Sequence, residues 1–145
     1  MEWCAAAIAA VLRADVANAH RRPTEDRWSS LEYAAHVRDV MLTIRDRLVI
    51  GLVEDHPGFK PLYRDTRVDL GLYRTDTVDA LLPELDAGAA MFLRLFAEID
   101  DVALDRPVQY GFPEPATRTL DWMGKQVVHE IEHHLRDIEE NARSG

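Results

Sequence analysis

The segment His129–Asp137, with the sequence HEIEHHLRD, holds three histidines and three acids within about two and a half helical turns. It contains two overlapping pairs of metal-ligating residues, and each pair is spaced four positions apart, so that its members share one face of a helix. His129 and His133 form the first pair and spell the H-E-x-x-H signature of zinc proteases. Glu130 and His134 form the second pair. Which pair faces the interior decides between two kinds of site.

Helical periodicity separates the two pairs. At about 100° per residue, His129 and His133 lie on or beside the charged side of this helix, while Glu130 and His134 flank its apolar side. An imidazole and a carboxylate in a protein interior need a partner, and a divalent metal would supply one. The competing interpretation is a chance surface H-E-x-x-H beside an ordinary core histidine. The apolar side is predicted from Leu120, Val127, Val128, Ile131, Leu135 and Ile138.

A third ligand has to come from another segment, because no histidine follows His134. His36 is the best candidate, since it lies at the edge of the apolar stripe that runs from Leu31 to Leu52 with spacings of three and four. An ordinary, partly buried histidine is the alternative. The single cysteine, Cys4, is a candidate nucleophile or, more commonly for an isolated cysteine near a terminus, a small filler.

Composition narrows the function classes. A chain of 145 residues predicts one domain over residues 1–145. A net charge of −9 argues against broad nucleic-acid binding and against docking on anionic membranes. No apolar run is long enough to span a bilayer, and the first residues lack the pattern of a signal peptide. Together with one unpaired cysteine, these features predict a cytoplasmic protein.

The order of segments predicts the fold. Helical patterns cover about residues 2–20, 29–52, 77–100 and 119–141, and Ser29 with Glu32 resembles a capping box at the second start. Long connections, about 59–73 and 101–117, separate the last three helices. No alternating pattern is long enough to require a sheet. We therefore expect an all-α, antiparallel four-helix bundle with long crossover connections.

The segment Trp28–Asp39, with the sequence WSSLEYAAHVRD, together with the last helix resembles the DinB-like superfamily, and most closely its actinobacterial members. The resemblance extends over nearly the whole chain, to about Asn141. It implies a bundle with a metal site near one end, held by His36 of the second helix and by the pair Glu130 and His134. An alignment of the last-helix pair on His129 and His133 is the alternative.

Two histidines and one carboxylate would leave open positions on zinc, nickel or iron, which is typical of a catalytic site. Asp39 and Asp137 lie one turn after His36 and His134, as candidate acceptors for the imidazoles or as salt-bridge partners.

The resemblance implies an enzyme that transfers mycothiol or another small thiol to a small electrophile, or a related isomerase or hydrolase. The alternatives are a non-catalytic, dimeric bundle that binds metal or ligand and, third, a peptidase. A homodimer is a further expectation from the resemblance.

Overall fold

The computed structural model describes residues 2–144, with side chains from Cys4 to Ser144. Six α-helices and a single 3-10 turn make up most of this part of the chain. The helices are α1 Glu2–Ala14, α2 Ser30–Val53, α3 Arg64–Asp69, α4 Val78–Ala97, α5 Asp101–Leu104 and α6 Leu120–Arg143, and the 3-10 turn is Val16–Asn18. The strands are β1 Gly58–Phe59, β2 Pro107–Tyr110 and β3 Ala116–Thr119.

The long helices α1, α2, α4 and α6 form the bundle, in which α1 and α2 each pack against α4 and α6. Helices α2 and α6 are antiparallel, because Gly51 contacts Leu120 near one end while the Asn141 amide donates to the Trp28 carbonyl at the other, 2.9 Å away.

Helices α2 and α4 run in the same direction instead, since Arg38 pairs with Glu84 and the next turn of α2 packs Met41 against Gly88. The expected antiparallel arrangement therefore holds for α2 and α6 but not for α2 and α4. The reason is the crossover over residues 54–77, which carries the chain back along the bundle before α4 begins.

A small sheet in the order β1-β2-β3 corrects the all-α prediction to a mostly helical fold. Strand β1 pairs with β2 in parallel, and β2 pairs with β3 as an antiparallel hairpin. Val108 and Tyr110 of β2 are buried while the residues between and before them are exposed, so the alternation exists but covers only four residues. The sheet lies at the end of the bundle where α2 stops, and there the Arg106 guanidinium donates to the carbonyls of Gly51 and Glu54.

Local sequence signals set the helix starts. The predicted capping box of α2 is present, since the Ser29 hydroxyl accepts from the Glu32 amide and the Glu32 carboxylate accepts from the Ser29 amide. Thr119, the last residue of β3, caps α6 through the amide of Trp122. These caps fix where α2 and α6 begin, and therefore how the two helices align along their shared interface.

The core between the long helices is apolar, and it contains the predicted face of α6 except for Val128, which is only partly buried. Cys4 is also part of this core, at 2% exposure, which fits the filler interpretation. No helix within residues 2–144 combines the length and the apolar character that a bilayer span requires. The buried polar residues among the described side chains are Ser29, His36, His134 and Asn141.

Candidate metal centre

The antiparallel packing of α2 on α6 brings His36, Glu130 and His134 together. The Glu130 Oε2 atom lies 3.8 Å from His36 Nε2 and 3.4 Å from His134 Nε2. Both histidines are 2% exposed, and Glu130 is partly buried. One potential ligand atom from each residue lies within 4.8 Å of the other two, so a single ion fits among the three. The structure thus brings together the three residues that the sequence predicted as metal ligands.

Three nitrogen atoms of this cluster are buried without a hydrogen-bond partner among the described residues. Both ring nitrogens of His36 and the Nε2 atom of His134 are buried without a hydrogen bond to any described residue. Buried polar atoms in native proteins are nearly always satisfied, because an unpaired one costs free energy. Zinc bonds its nitrogen and oxygen ligands at about 2.0–2.2 Å, which puts neighbouring ligand atoms of a tetrahedral site roughly 3.3 Å apart. The observed separations are close to this value, so the residues fit a divalent metal.

Two neighbouring side chains of α6 orient His134 and Glu130. The Asp137 Oδ2 atom lies 3.0 Å from His134 Nδ1, and a proton on Nδ1 leaves the Nε2 lone pair directed at the cluster. The Gln126 amide donates to Glu130 Oε1, 3.1 Å away, so that Oε2 is the oxygen directed at both histidines. The predicted contact between Asp137 and His134 is present. Gln126 was missed, although its position four residues before Glu130 was a usable signal.

Asp39 is not brought to His36, whose Nδ1 atom has no described hydrogen-bond partner. The Asp39 carboxylate instead accepts hydrogen bonds from Arg67 at 2.7 Å and from the Tyr73 hydroxyl at 2.9 Å, and it also pairs with Arg38. The salt-bridge alternative for Asp39 is the one that the structure shows. The network ties α2 to the connection over residues 54–77.

Aromatic rings close one side of the cluster. The ring of Tyr33 stacks on His134 with centroids 5.2 Å apart, and the ring of Trp28 lies 6.3 Å from His134 and 5.6 Å from His36. These rings exclude water from that side and hold the imidazoles in place. The WSSLEYAAH string therefore contributes a helix start, an aromatic wall and the candidate ligand His36 within nine residues, and the aromatic wall was not predicted.

The alternative pair, His129 and His133, lies on the exposed side of α6. The two rings stack 6.4 Å apart, and the His133 side chain is 57% exposed. His133 does approach Asp137, at 3.7 Å, and together with His134 they form a second potential cluster. In that cluster, however, Asp137 and the Nδ1 atom of His134 already bond to each other.

Electrostatics favour the protonation states that bind metal. Burial lowers the pKa of the His36 imidazole, the nearby Glu130 carboxylate partly opposes this effect, and the charges of His134 and Arg64 add to it. The close approach of the His134 and His36 imidazoles holds the pKa of the Glu130 carboxyl far below its usual range, against the opposing effect of burial. At neutral pH, His36 is therefore neutral and Glu130 is ionised, which are the forms that coordinate a cation.

A cavity of about 250 Å³ adjoins the cluster, with His36 and Glu130 in its wall. Buried Val40, Ile44 and Val127 form part of this wall. Tyr110 of β2 also lines the cavity, and burial raises the pKa of its hydroxyl, which therefore stays protonated at neutral pH. A small molecule in this cavity would reach the side chains of His36 and Glu130.

Comparisons with known proteins agree with this architecture. The family model described as the DinB superfamily matches residues 2–138, and the chain therefore belongs to that superfamily, as its sequence resemblance predicted. A solved structure is described as YfiT from Bacillus subtilis, a probable metal-dependent hydrolase with an unusual four-helix bundle topology. The two chains share 19% identity with a TM-score of 0.78, over 98% of this chain and 83% of that one, which shows a common fold. No curated protein matches the chain in sequence.

Proposed function

We propose that this member of the DinB superfamily is a metal-dependent enzyme acting on small molecules. The observation that carries the proposal is the cluster of buried, unpaired nitrogens of His36 and His134 around the ionised carboxylate of Glu130. Three protein ligands leave part of the coordination sphere of a zinc, nickel or iron ion free for a reactant. The adjoining cavity gives a small reactant room beside these ligands.

The residues of the cluster and its neighbours would have two different roles. His36, Glu130 and His134 would hold the ion, while Asp137 and Gln126 keep the ligand atoms aimed at it. A divalent ion bound there would lower the pKa of a coordinated water or thiol and supply a nucleophile at neutral pH. The Tyr110 hydroxyl, kept protonated by burial, is suited to donate a hydrogen bond to a substrate oxygen.

The nucleophile distinguishes two forms of the proposal. In the first, a small thiol of the mycothiol type attacks an electrophile in the cavity, as the family resemblance implies. In the second, water attacks, in keeping with the description of YfiT as a probable metal-dependent hydrolase. A cavity of about 250 Å³ is below the range of about 300–1,000 Å³ that is typical for drug-sized ligands. This size favours water as the nucleophile, because a thiol of the mycothiol type would extend beyond the cavity.

A non-catalytic bundle that binds metal or ligand is the alternative from another class, and it would need the same three ligands but no turnover. The peptidase alternative is disfavoured by the exposure of His129 and His133, which leaves them outside the enclosed cluster.

The test is to measure bound metal and turnover together in the full chain. Wild type, His134→Ala and His133→Ala are freed of metal, reloaded with zinc, nickel or iron, and measured for metal content. The same samples are then assayed for hydrolysis of p-nitrophenyl acetate and for transfer of mycothiol or bacillithiol to chlorodinitrobenzene. His133→Ala is the matched control, since it removes an adjacent but exposed imidazole.

We expect about one ion per chain in wild type and in His133→Ala, and loss of both metal and turnover in His134→Ala. Metal without turnover in either assay would support the non-catalytic alternative. Turnover that survives chelation would contradict the metal mechanism. Loss of metal in His133→Ala with retention in His134→Ala would transfer the site to the exposed pair.

A further inference from the structure

The cavity beside the candidate metal centre carries a positive charge on one of its walls. Val40, Ile44 and Val127 make its buried part apolar. The segment over residues 61–66 forms another part of the lining and contributes Arg64. Arg64 is the only lysine or arginine among the described residues that line the cavity, so it determines where an anion would be recognised.

The Arg64 guanidinium is held in place without using its hydrogen-bond donors. It lies over the ring of Phe112, with its central carbon 5.7 Å from the ring centroid. The nearest carboxylate oxygen, on Asp65, is 3.8 Å away, and the Asp65 side chain is 74% exposed. Stacking occupies the face of a guanidinium and leaves its edge free to bind a carboxylate through two hydrogen bonds.

The other arginines around the site contrast with Arg64. Arg38 donates to three carboxylates, and Arg67 donates to Asp39 at 2.7 Å. Arg27 on the far side of the cluster donates to Glu140 at 2.8 Å. Arg64 donates no hydrogen bond to any described residue, although it lines the cavity. A free guanidinium at a cavity wall is a recognition group for an anionic ligand.

We propose that the substrate is a small monocarboxylate with an apolar body, whose carboxylate pairs with Arg64 while the body lies against Val40, Ile44 and Val127. This inference rests on the proposed function, because it takes the cavity as the substrate pocket of the metal centre. The apolar body would then extend past His36 and Glu130, where the reacting group would lie. Phe112 also lines the cavity, beside Arg64.

The charge of the lining favours a carboxylate over a phosphate. One guanidinium edge binds a carboxylate through two parallel hydrogen bonds, and its single positive charge balances the charge of a monocarboxylate. Glu130 and Asp65 line the same cavity and would repel the second charge of a phosphate dianion. The volume of about 250 Å³ suits a body about the size of one ring. Benzoate is therefore a suitable probe, with benzyl alcohol as its neutral counterpart and phenyl phosphate as its dianionic one.

Binding of the three probes is measured by isothermal titration calorimetry on the full chain, both zinc-loaded and metal-free. The variants are Arg64→Gln, Arg64→Lys and Arg118→Gln. Arg118 is the matched control, because it is also a single positive charge over an aromatic ring, at 4.8 Å from Trp122, but it is not among the cavity-lining residues.

We expect Arg64→Gln to weaken benzoate binding about tenfold, or about 1.4 kcal/mol, with benzyl alcohol unchanged. Arg64→Lys should recover part of the loss, and Arg118→Gln should bind as wild type does. The inference is overturned if benzoate fails to bind, if Arg64→Gln binds it as wild type does, or if phenyl phosphate binds more tightly than benzoate. An Arg64-dependent affinity that persists in the metal-free chain would support the anion site even if the proposed metal enzymology failed.

Discussion

Two pairs of side chains on α6 are spaced identically and differ in almost every physical respect. Glu130 and His134 face α2, where His134 is buried, Glu130 is partly buried and a third residue, His36, completes a cluster. His129 and His133 face solvent on the other side, where their rings stack on each other and His133 lies beside His134 and Asp137 of the same helix. The comparison teaches that a ligand spacing has no meaning until the helix face is known.

The largest expected effect is on zinc affinity when one buried ligand is removed. His36→Ala and Glu130→Ala should each weaken binding by more than the roughly 10–100-fold that loss of an outer partner costs. His129→Ala should stay within about threefold of wild type. Competition with a chromogenic chelator measures all three. Weaker zinc binding by His129→Ala, together with unchanged zinc binding by His36→Ala, would assign the metal to the exposed pair instead of the buried cluster.

Removing core packing from α6 should give the next largest effect, on folding rather than on metal. Ile131 is fully buried, and in the sequence it lies between the first and second members of both pairs. Ile131→Ala should therefore lower the free energy of unfolding by about 2–5 kcal/mol. Its exposed neighbour is the control, and Glu132→Ala should change the same quantity by no more than about 0.5 kcal/mol. Urea denaturation of the metal-free chain measures both, and equal losses would mean that the two faces are not distinct.

The two aspartates that follow ligand histidines should separate by a smaller amount. Asp137→Ala should reduce zinc affinity about 10–100-fold, because it releases the Nδ1 atom of His134. Asp39→Ala should leave zinc affinity within about threefold, while lowering stability through the loss of Arg67 and Tyr73 as partners. The same chelator competition measures the zinc affinity of both variants. Weaker zinc binding by Asp39→Ala than by Asp137→Ala would contradict the observed contacts.

The helix faces and the start of α2 could be predicted from the sequence, because both depend on the spacing of nearby residues. The apolar side of α6 and the start of α2 at Ser29 depend on neighbours within one or two helical turns, which a sequence displays directly. The same projection turned Glu130 and His134 inward. His36 was placed at the edge of a stripe by periodicity, and the family resemblance was needed to select it as a ligand.

The features that depend on distant contacts were not predictable. Strand β1 has two residues, and its parallel pairing with β2 joins positions about fifty residues apart, which no local alternation reveals. Asp39 is drawn away from His36 by Arg67 and Tyr73, both in the long connection without helical periodicity. The cavity is likewise shaped by this connection and the hairpin, and so the position of Arg64 emerged only from the structure.

The smallest expected effect is the contribution of the buried cluster of His36, Glu130 and His134 to the pH dependence of stability. Burial lowers the pKa of His36 in the folded chain below its ordinary value of 6.5, so the unfolded chain binds more protons just below that pH. The stability of the metal-free chain should therefore rise with pH through this window and fall on acidification. Glu130 acts with the same sign further down, since its contribution is present above about pH 4.5 and is lost as the pH falls below it.

Thermal unfolding of the metal-free chain at about pH 7.5 and about pH 5.5 tests this contribution. The midpoint of wild type and of His129→Gln should fall on acidification, while that of His36→Gln should fall less, because glutamine does not titrate. The comparison uses the change with pH within each variant, so that a packing defect at position 36 cancels. An equal fall in all three proteins would mean that the burial of His36 does not contribute to the pH dependence of stability.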